Sequence, residues 1–326
     1  MARNEELSIA AGRDTLRGTL TLPEPREVDD AGDDRWPAAL LVASFLPRDR
    51  DGRLDRARHA GWFADPGPDD GILARLADAL AARGVASLRY DKRGCGQSDG
   101  EWETAGAFTL VDDARDAIAA LRGHDAVDAV RIGIVGHGEG GWLALSVAAA
   151  DPGIGPLTLI GSPARGLRDV LRRAVAERSR RDRGSHEEPR HPFVAALDRG
   201  IEELVERAHR GETEMGLTLT AGQRVTLGLA GWEQAMQIPA RALATLQQRS
   251  VTVVHGAADR WVDPDEATLL AAALMPTAAP RRITVAAAGH DLTEATPELF
   301  RDLAADLAAR LQPRRLPTVL LSIGLR

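Results

Sequence analysis

Six short strand-like runs set the architecture of this chain. Pro37–Ser44, Val85–Tyr90, Arg131–Val135, Leu157–Gly161, Val251–His255 and Ile283–Ala287 each have the length of a strand and not of a helix. Their hydrophobicity is nearly continuous, as in strands buried on both faces of a parallel sheet. Between them the period lengthens. Ile72, Leu73, Leu76 and Leu80 form one helical stripe, closed by Gly84 as a C-terminal cap. Val111, Ala114, Ile118 and Leu121 form another, ending at Gly123, and Leu299, Leu303, Leu307 and Leu311 a last one. The β-α-β-α order predicts an α/β fold with a doubly wound, mostly parallel sheet. Residues 5–23 are expected to add two antiparallel strands at one edge.

Two segments interrupt the rhythm. Arg48–Gly71 is a loop rich in Asp, Arg, Gly and Pro that contains Trp62 and Phe63. Residues 163–249 hold no strand-like run but carry helical stretches at Val170–Arg178 and Phe193–Arg210, parted by the charged loop Ser179–Pro192. The expected organisation is a core of residues 1–162 and 250–326 with a helical cap, 163–249, over the carboxyl ends of the strands. The apolar tail Leu316–Leu325 is too short to span a bilayer and is expected to pack on the body or on a neighbour, so an oligomer stays open. The formal charge of −7 gives no reason to expect a nucleic-acid partner. The lone Cys95 rules out a disulfide within the chain, and no apolar run approaches the ~20 residues of a membrane helix. The first residues lack an apolar signal-type stretch, which makes the cytoplasm the default location. No dinucleotide fingerprint and no metal-ligand spacing is present, so the expected partner is a small-molecule substrate and no cofactor or metal is expected.

The chemistry concentrates at Ile134-Val-Gly-His-Gly138-Glu-Gly-Gly141, between a strand and a helix. The segment matches the G-x-S-x-G nucleophile elbow at every position but the nucleophile, where Gly138 stands. A glycine-rich turn alone would also suit a phosphate loop. The later strands decide between the two: Asp259 follows one strand and His290 the next, in the Ser…Asp…His order of such hydrolases. Two further segments carry the same signal, Leu88-Arg-Tyr-Asp-Lys-Arg-Gly-Cys-Gly-Gln-Ser98 and Pro47-Arg-Asp-Arg-Asp-Gly52. Through these motifs the chain resembles the bacterial α/β hydrolases of the serine aminopeptidase and BAAT-like esterase group, over most of residues 5–162 and 250–312. The resemblance implies the α/β-hydrolase fold, with Gly138 at the nucleophile position, Asp259 as the acid and His290 as the base. It also implies an oxyanion hole from the N–H of Glu139 and one from the Ser44–Leu46 loop, at Phe45 or Leu46. That loop departs from the group's usual Gly-Ser-Gly, and its bulk is expected to narrow or re-aim the hole.

Glycine has no side chain to form an acyl-enzyme. An oriented histidine base, N–H donors and a capped pocket suit proton abstraction beside a carbonyl. The expected function is therefore that of a lyase. His290 would remove the proton, and a carboxylate such as acetate would leave an acylated small-molecule intermediate of secondary metabolism. Proteins of this fold that expel acetate from acylated tetronates supply the analogy. The alternative is a hydrolase, either with water activated directly by His290 or as a serine hydrolase inactivated at Gly138. A ligand-binding protein without activity, and a substitution introduced to trap a substrate, are the remaining readings. Among neighbouring residues, His137 and His255 are expected in the core, and Asp91, Arg93 and Ser98 to tie down their loop. Cys95 lies on the wrong loop to replace the nucleophile. The arginines of 165–190 read as a solvated cap face or a funnel for an anionic substrate. Trp62, Trp102, Trp232 and Trp261 suit either the pocket or packing.

Overall fold

The structure, a computed structural model, describes residues 2–25, 35–59, 71–166, 168–170, 172, 173, 176, 192–218, 222, 224–229 and 237–312. The expectations for Trp62, Phe63, Trp232, most of the arginine-rich stretch and the C-terminal tail lie outside these residues.

Strands β1 (Arg3–Ala11) and β2 (Asp14–Leu22) form the antiparallel edge pair, with Leu7 opposite Gly18. The chain then runs β3 (Trp36–Val42), α1 (Arg56–His59), α2 (Ile72–Ala81), β4 (Ala86–Tyr90), α3 (Ala107–Arg122), β5 (Val127–His137), α4 (Glu139–Ala150) and β6 (Ile154–Ile160). After an intervening segment come β9 (Val251–Gly256), α7 (Asp265–Ala273), β10 (Arg281–Val285) and α8 (Pro297–Leu311). The sheet order is β1-β2-β4-β3-β5-β6-β9-β10. From β4 to β10 every neighbouring pair is parallel, and β2 joins β4 antiparallel.

Side chains alternate across this sheet, as the period of a strand requires. Ala38, Leu40 and Val42 of β3 face a core built with α3, α4 and α7, and Ala39 and Leu41 face a second core built with α2 and α8. Both faces are covered, which explains why the strands read as continuous runs. Each fully buried leucine, such as Leu40 or Leu41, contributes about 1.5–3 kcal/mol. Gly84 follows α2 with φ +73° and donates its N–H to the Ala81 carbonyl, and Gly123 caps α3.

The segment between β6 and β9 corrects one expectation. It contains helix α5 (Pro192–His209) and the short α6 (Ala240–Ala244), but also an antiparallel hairpin of β7 (Glu214–Thr218) and β8 (Arg224–Gly228). Met215 and Leu217 point inward while Glu214, Gly216 and Thr218 are exposed. A half-buried strand alternates in polarity, and a search for continuous apolar runs misses it. No helix among the described residues is long and apolar enough to cross a membrane.

Candidate active site

The order of the strands makes the cleft. β3 is followed in sequence by β4 on one side, and β5 then lies on its other side. At such a switch point the loops leaving the two strands diverge, and a crevice opens at their carboxyl ends. β3 and β5 pair with Val42 opposite Gly136, so two residues further on Ser44 and Gly138 lie side by side. Asp259 and His290 arrive on the loops after β9 and β10.

His290 Nδ1 lies 2.8 Å from Asp259 Oδ2. An ionised carboxylate only accepts, so Nδ1 carries the proton and Nε2 presents its lone pair. That lone pair faces Ser44 Oγ at 3.0 Å, and the serine hydroxyl is the donor. Asp259 is buried and fully partnered. Its Oδ1 accepts the N–H groups of Trp261 (2.8 Å) and Val262 (2.9 Å), and its Oδ2 lies 3.2 Å from His255 Nε2. Burial opposes the charge of Asp259, but His290, His255 and the Val262 N–H outweigh it and hold its pKa below the usual carboxylate range. Burial likewise opposes charging of His290. Asp259 and then Asp291 outweigh that effect, so the imidazole pKa is raised.

Gly138 adopts φ +53° and ψ −116°, a backbone conformation rare for residues with a side chain. A Cβ built here would overlap Ser44 Oγ, and would lie 2.9 Å from Ser44 Cβ and 3.0 Å from His290 Nε2. The elbow glycine and the loop serine therefore compete for one space, and the serine fills it. Glu139 begins the 12-residue helix α4. Its N–H is among the four that a helix leaves without an intrahelical acceptor, at the positive end of the helix dipole.

The Ser44–Leu46 loop is pinned from several sides. Lys92, buried, donates to the Ser44 carbonyl (3.1 Å), the Leu46 carbonyl (3.3 Å) and Glu139 Oε2 (2.8 Å). Arg48 donates to the Phe45 carbonyl at 3.1 Å and pairs with Asp291 at 3.1 Å, joining the serine loop to the histidine loop. Asp291 is held down at about 2: burial would raise it, but Arg48 and the two neighbouring histidines lower it more. Leu46 has φ +73°, which costs a branched residue about 1–2 kcal/mol. Its side chain is buried with Trp102, Leu204, Met215, Leu217 and Leu227, so the hairpin and α5 cover this loop. Phe45 meets Trp102 edge-on, with ring centroids 6.2 Å apart. Segments 47–52 and 88–98 interlock, with Arg50 on Asp91 at 2.7 Å and Arg89 on Asp51 at 2.8 Å.

His137 lies inside the fold, its ring 4.7 Å from that of His290, and its Nε2–H donates to the His290 carbonyl. Burial, reinforced by the adjacent His290, lowers its pKa to about 3, so it stays neutral. Asp91 and Ser98 tie down their own loop through Gln97 N–H and the Asp91 carbonyl, and Arg93 pairs with Asp113 and Asp14. Cys95 is buried, and burial pushes its thiol up to about 12. Two groups of metal-ligand types gather among the described residues: Asp55, His59 and Cys95, and His137, His290 and Asp291. In the first, Gly96 N–H, Glu103 and the Gly94 carbonyl already engage Asp55 and His59. In the second, Nε2 of His290 is turned to Ser44 and Asp291 to Arg48.

Asp259, His290, Gly138 and Glu139 thus meet at one point, with Phe45 and Leu46 beside them. The side chain that sequence reasoning overlooked is Ser44, which it took only as part of a loop.

A doubly wound sheet with Asp–His on its last strand ends and a helix starting at a glycine elbow defines the α/β-hydrolase class. The serine aminopeptidase S33 family profile matches residues 70–295, and the chain belongs to this family. Part of the chain is 34% identical, over 124 residues, to the acyltransferase drtE of Aspergillus calidoustus. That stretch is 36% of this chain and 39% of the relative, so the match spans about two fifths of the relative's length. Among solved structures, the ferulic-acid complex of Est1E from Butyrivibrio proteoclasticus superposes with a TM-score of 0.61 at 17% identity, covering 93% of this chain and 99% of the other. The α/β hydrolase GrgF from Penicillium sp. sh18 also gives 0.61, at 18% identity, covering 95% and 98%. At these identities the structures share the fold.

Proposed function

We propose that the protein is an acyl-cleaving enzyme acting on a small-molecule ester or thioester, with His290 as general base and Asp259 as the group that orients it. The observation that carries this reading is the aim of His290 Nε2, which meets an O–H at 3.0 Å directly before the N-terminus of α4. A base placed on a hydroxyl is set to activate oxygen for attack on a carbonyl. The charge that develops on the carbonyl oxygen falls within reach of the Glu139 N–H, and one such donor is worth about 10²–10³ in rate. The relative named as an acyltransferase gives this reading further support. In it, α5 and the β7–β8 hairpin, which pack on Leu46 and Trp102, cover the substrate.

A second reading, elimination of a carboxylate by the same base, is favoured by Gly138, which offers no hydroxyl of its own. Turnover of an acylated substrate in H₂¹⁸O separates the two. Acyl cleavage with water as acceptor gives an alcohol and a labelled acid, and His290→Ala abolishes both products. An alkene with unlabelled acid would establish the lyase and overturn the first reading.

A further inference from the structure

We infer that Ser44, on the loop after β3, is the nucleophile of this enzyme, relocated from the elbow to the neighbouring strand end. The inference rests on the acyl-cleaving reading above and adds the group that carries the acyl chain. Three observations converge on it. Ser44 Oγ donates to the imidazole nitrogen that Asp259 has left basic, giving the chain Ser44–His290–Asp259 with contacts of 3.0 and 2.8 Å. The hydroxyl occupies the space where a side chain at position 138 would begin, so glycine at the elbow is the condition for Ser44 to be there. The backbone that carries it is fixed by Lys92 on its carbonyl and, one residue on, by Arg48 on that of Phe45.

The reaction balances without any further group. Ser44 Oγ attacks the acyl carbon as its proton passes to His290 Nε2. The acyl–oxygen or acyl–sulfur bond then breaks, and the leaving alcohol or thiol takes the proton from His290. Water or an acceptor alcohol attacks the Ser44 ester, with His290 again taking the proton, and the acid or new ester leaves with the Ser44 hydroxyl restored. Glu139 N–H faces the oxyanion in both halves. The order Ser…Asp…His along the chain is kept.

A fluorophosphonate probe on the full-length protein tests this. The expected result is one adduct per chain, mapped by mass spectrometry to the peptide containing Ser44, and its loss in Ser44→Ala, which should also lower turnover by about 10³-fold or more. Gly138→Ala keeps Ser44 but fills its space, and should lose the label as well. The double exchange Ser44→Gly/Gly138→Ser should move the adduct to the elbow peptide. That recovery shows that the single variants fail by chemistry and not by misfolding. No adduct on the folded unmodified chain, or an adduct on another residue, would overturn the assignment. If His290→Ala abolishes turnover and Ser44→Ala does not, Ser44 is refuted and the His290 reading stands. If neither variant matters, both readings fall.

Discussion

Arg48→Met should move the pH profile of this enzyme in a direction that the structure fixes. Arg48 is buried and lies 3.1 Å from Asp291, whose side chain is 29% exposed. At that separation and an effective dielectric of about 20, the bare attraction is about 5 kcal/mol. Desolvation offsets much of it. Cutting one partner from a fully buried pair costs about 3–5 kcal/mol, and the partial exposure of Asp291 places this pair at or below the lower end. Adding the lost contact to the Phe45 carbonyl, we expect a net loss of about 3 kcal/mol in denaturant unfolding. Asp291, held at about 2, contributes to stability above its unfolded value near 4 and ceases to do so as the pH falls through about 2. The deficit of the variant should therefore shrink over that window. The kinetic effect has its own sign. His290 must be neutral to act as base, its pKa is raised above 6.5 by Asp259 and Asp291, and Arg48 pulls it down. Protonation of His290 removes activity, so kcat/KM falls as the pH drops through the raised value. Arg48→Met should shift this acid limb to higher pH and Asp291→Asn to lower pH. Limbs that stay in place, or move the same way in both variants, would refute the electrostatic account of the site.

Asp259→Asn should lower kcat by about 10⁴-fold, because an amide no longer enforces the proton on His290 Nδ1; a loss below tenfold in steady-state kinetics would show that the tautomer is set elsewhere. Lys92→Met removes the cation from two loop carbonyls and Glu139, and should reduce kcat at least tenfold with little change in KM; unchanged kcat would mean that the Ser44 loop holds its own shape.

The sheet was legible because both faces of its central strands are buried, and a run such as Pro37–Ser44 admits few other structures. Asp259 and His290 were legible because strand ends carry them at a fixed place in the chain order. The cap hairpin was not, since Met215 and Leu217 supply only two inward positions amid polar neighbours. The role of Ser44 was hidden for a different reason. Positions 44 and 138 are 94 residues apart, and only the register of β3 on β5, Val42 against Gly136, makes them adjacent. A hydroxyl missing from one strand end is a signal to look along its parallel neighbours, and Ser44 stands at the matching height. The departures at Phe45 and Leu46 are also spatial in origin: they replace small residues with side chains that the hairpin and α5 pack upon.

Lys92 is the only lysine in the sequence, and it is buried beneath the loop that it clamps. A lysine-specific protease therefore has a single bond to cut, and that bond is inaccessible until the surrounding structure opens. When reclosing outruns cleavage, the cutting rate follows the equilibrium population of the opened form. The chain thus contains its own gauge of how firmly the serine loop is held. A ligand that docks against the loop would register on that gauge as slower digestion, with no dye, tag or turnover required.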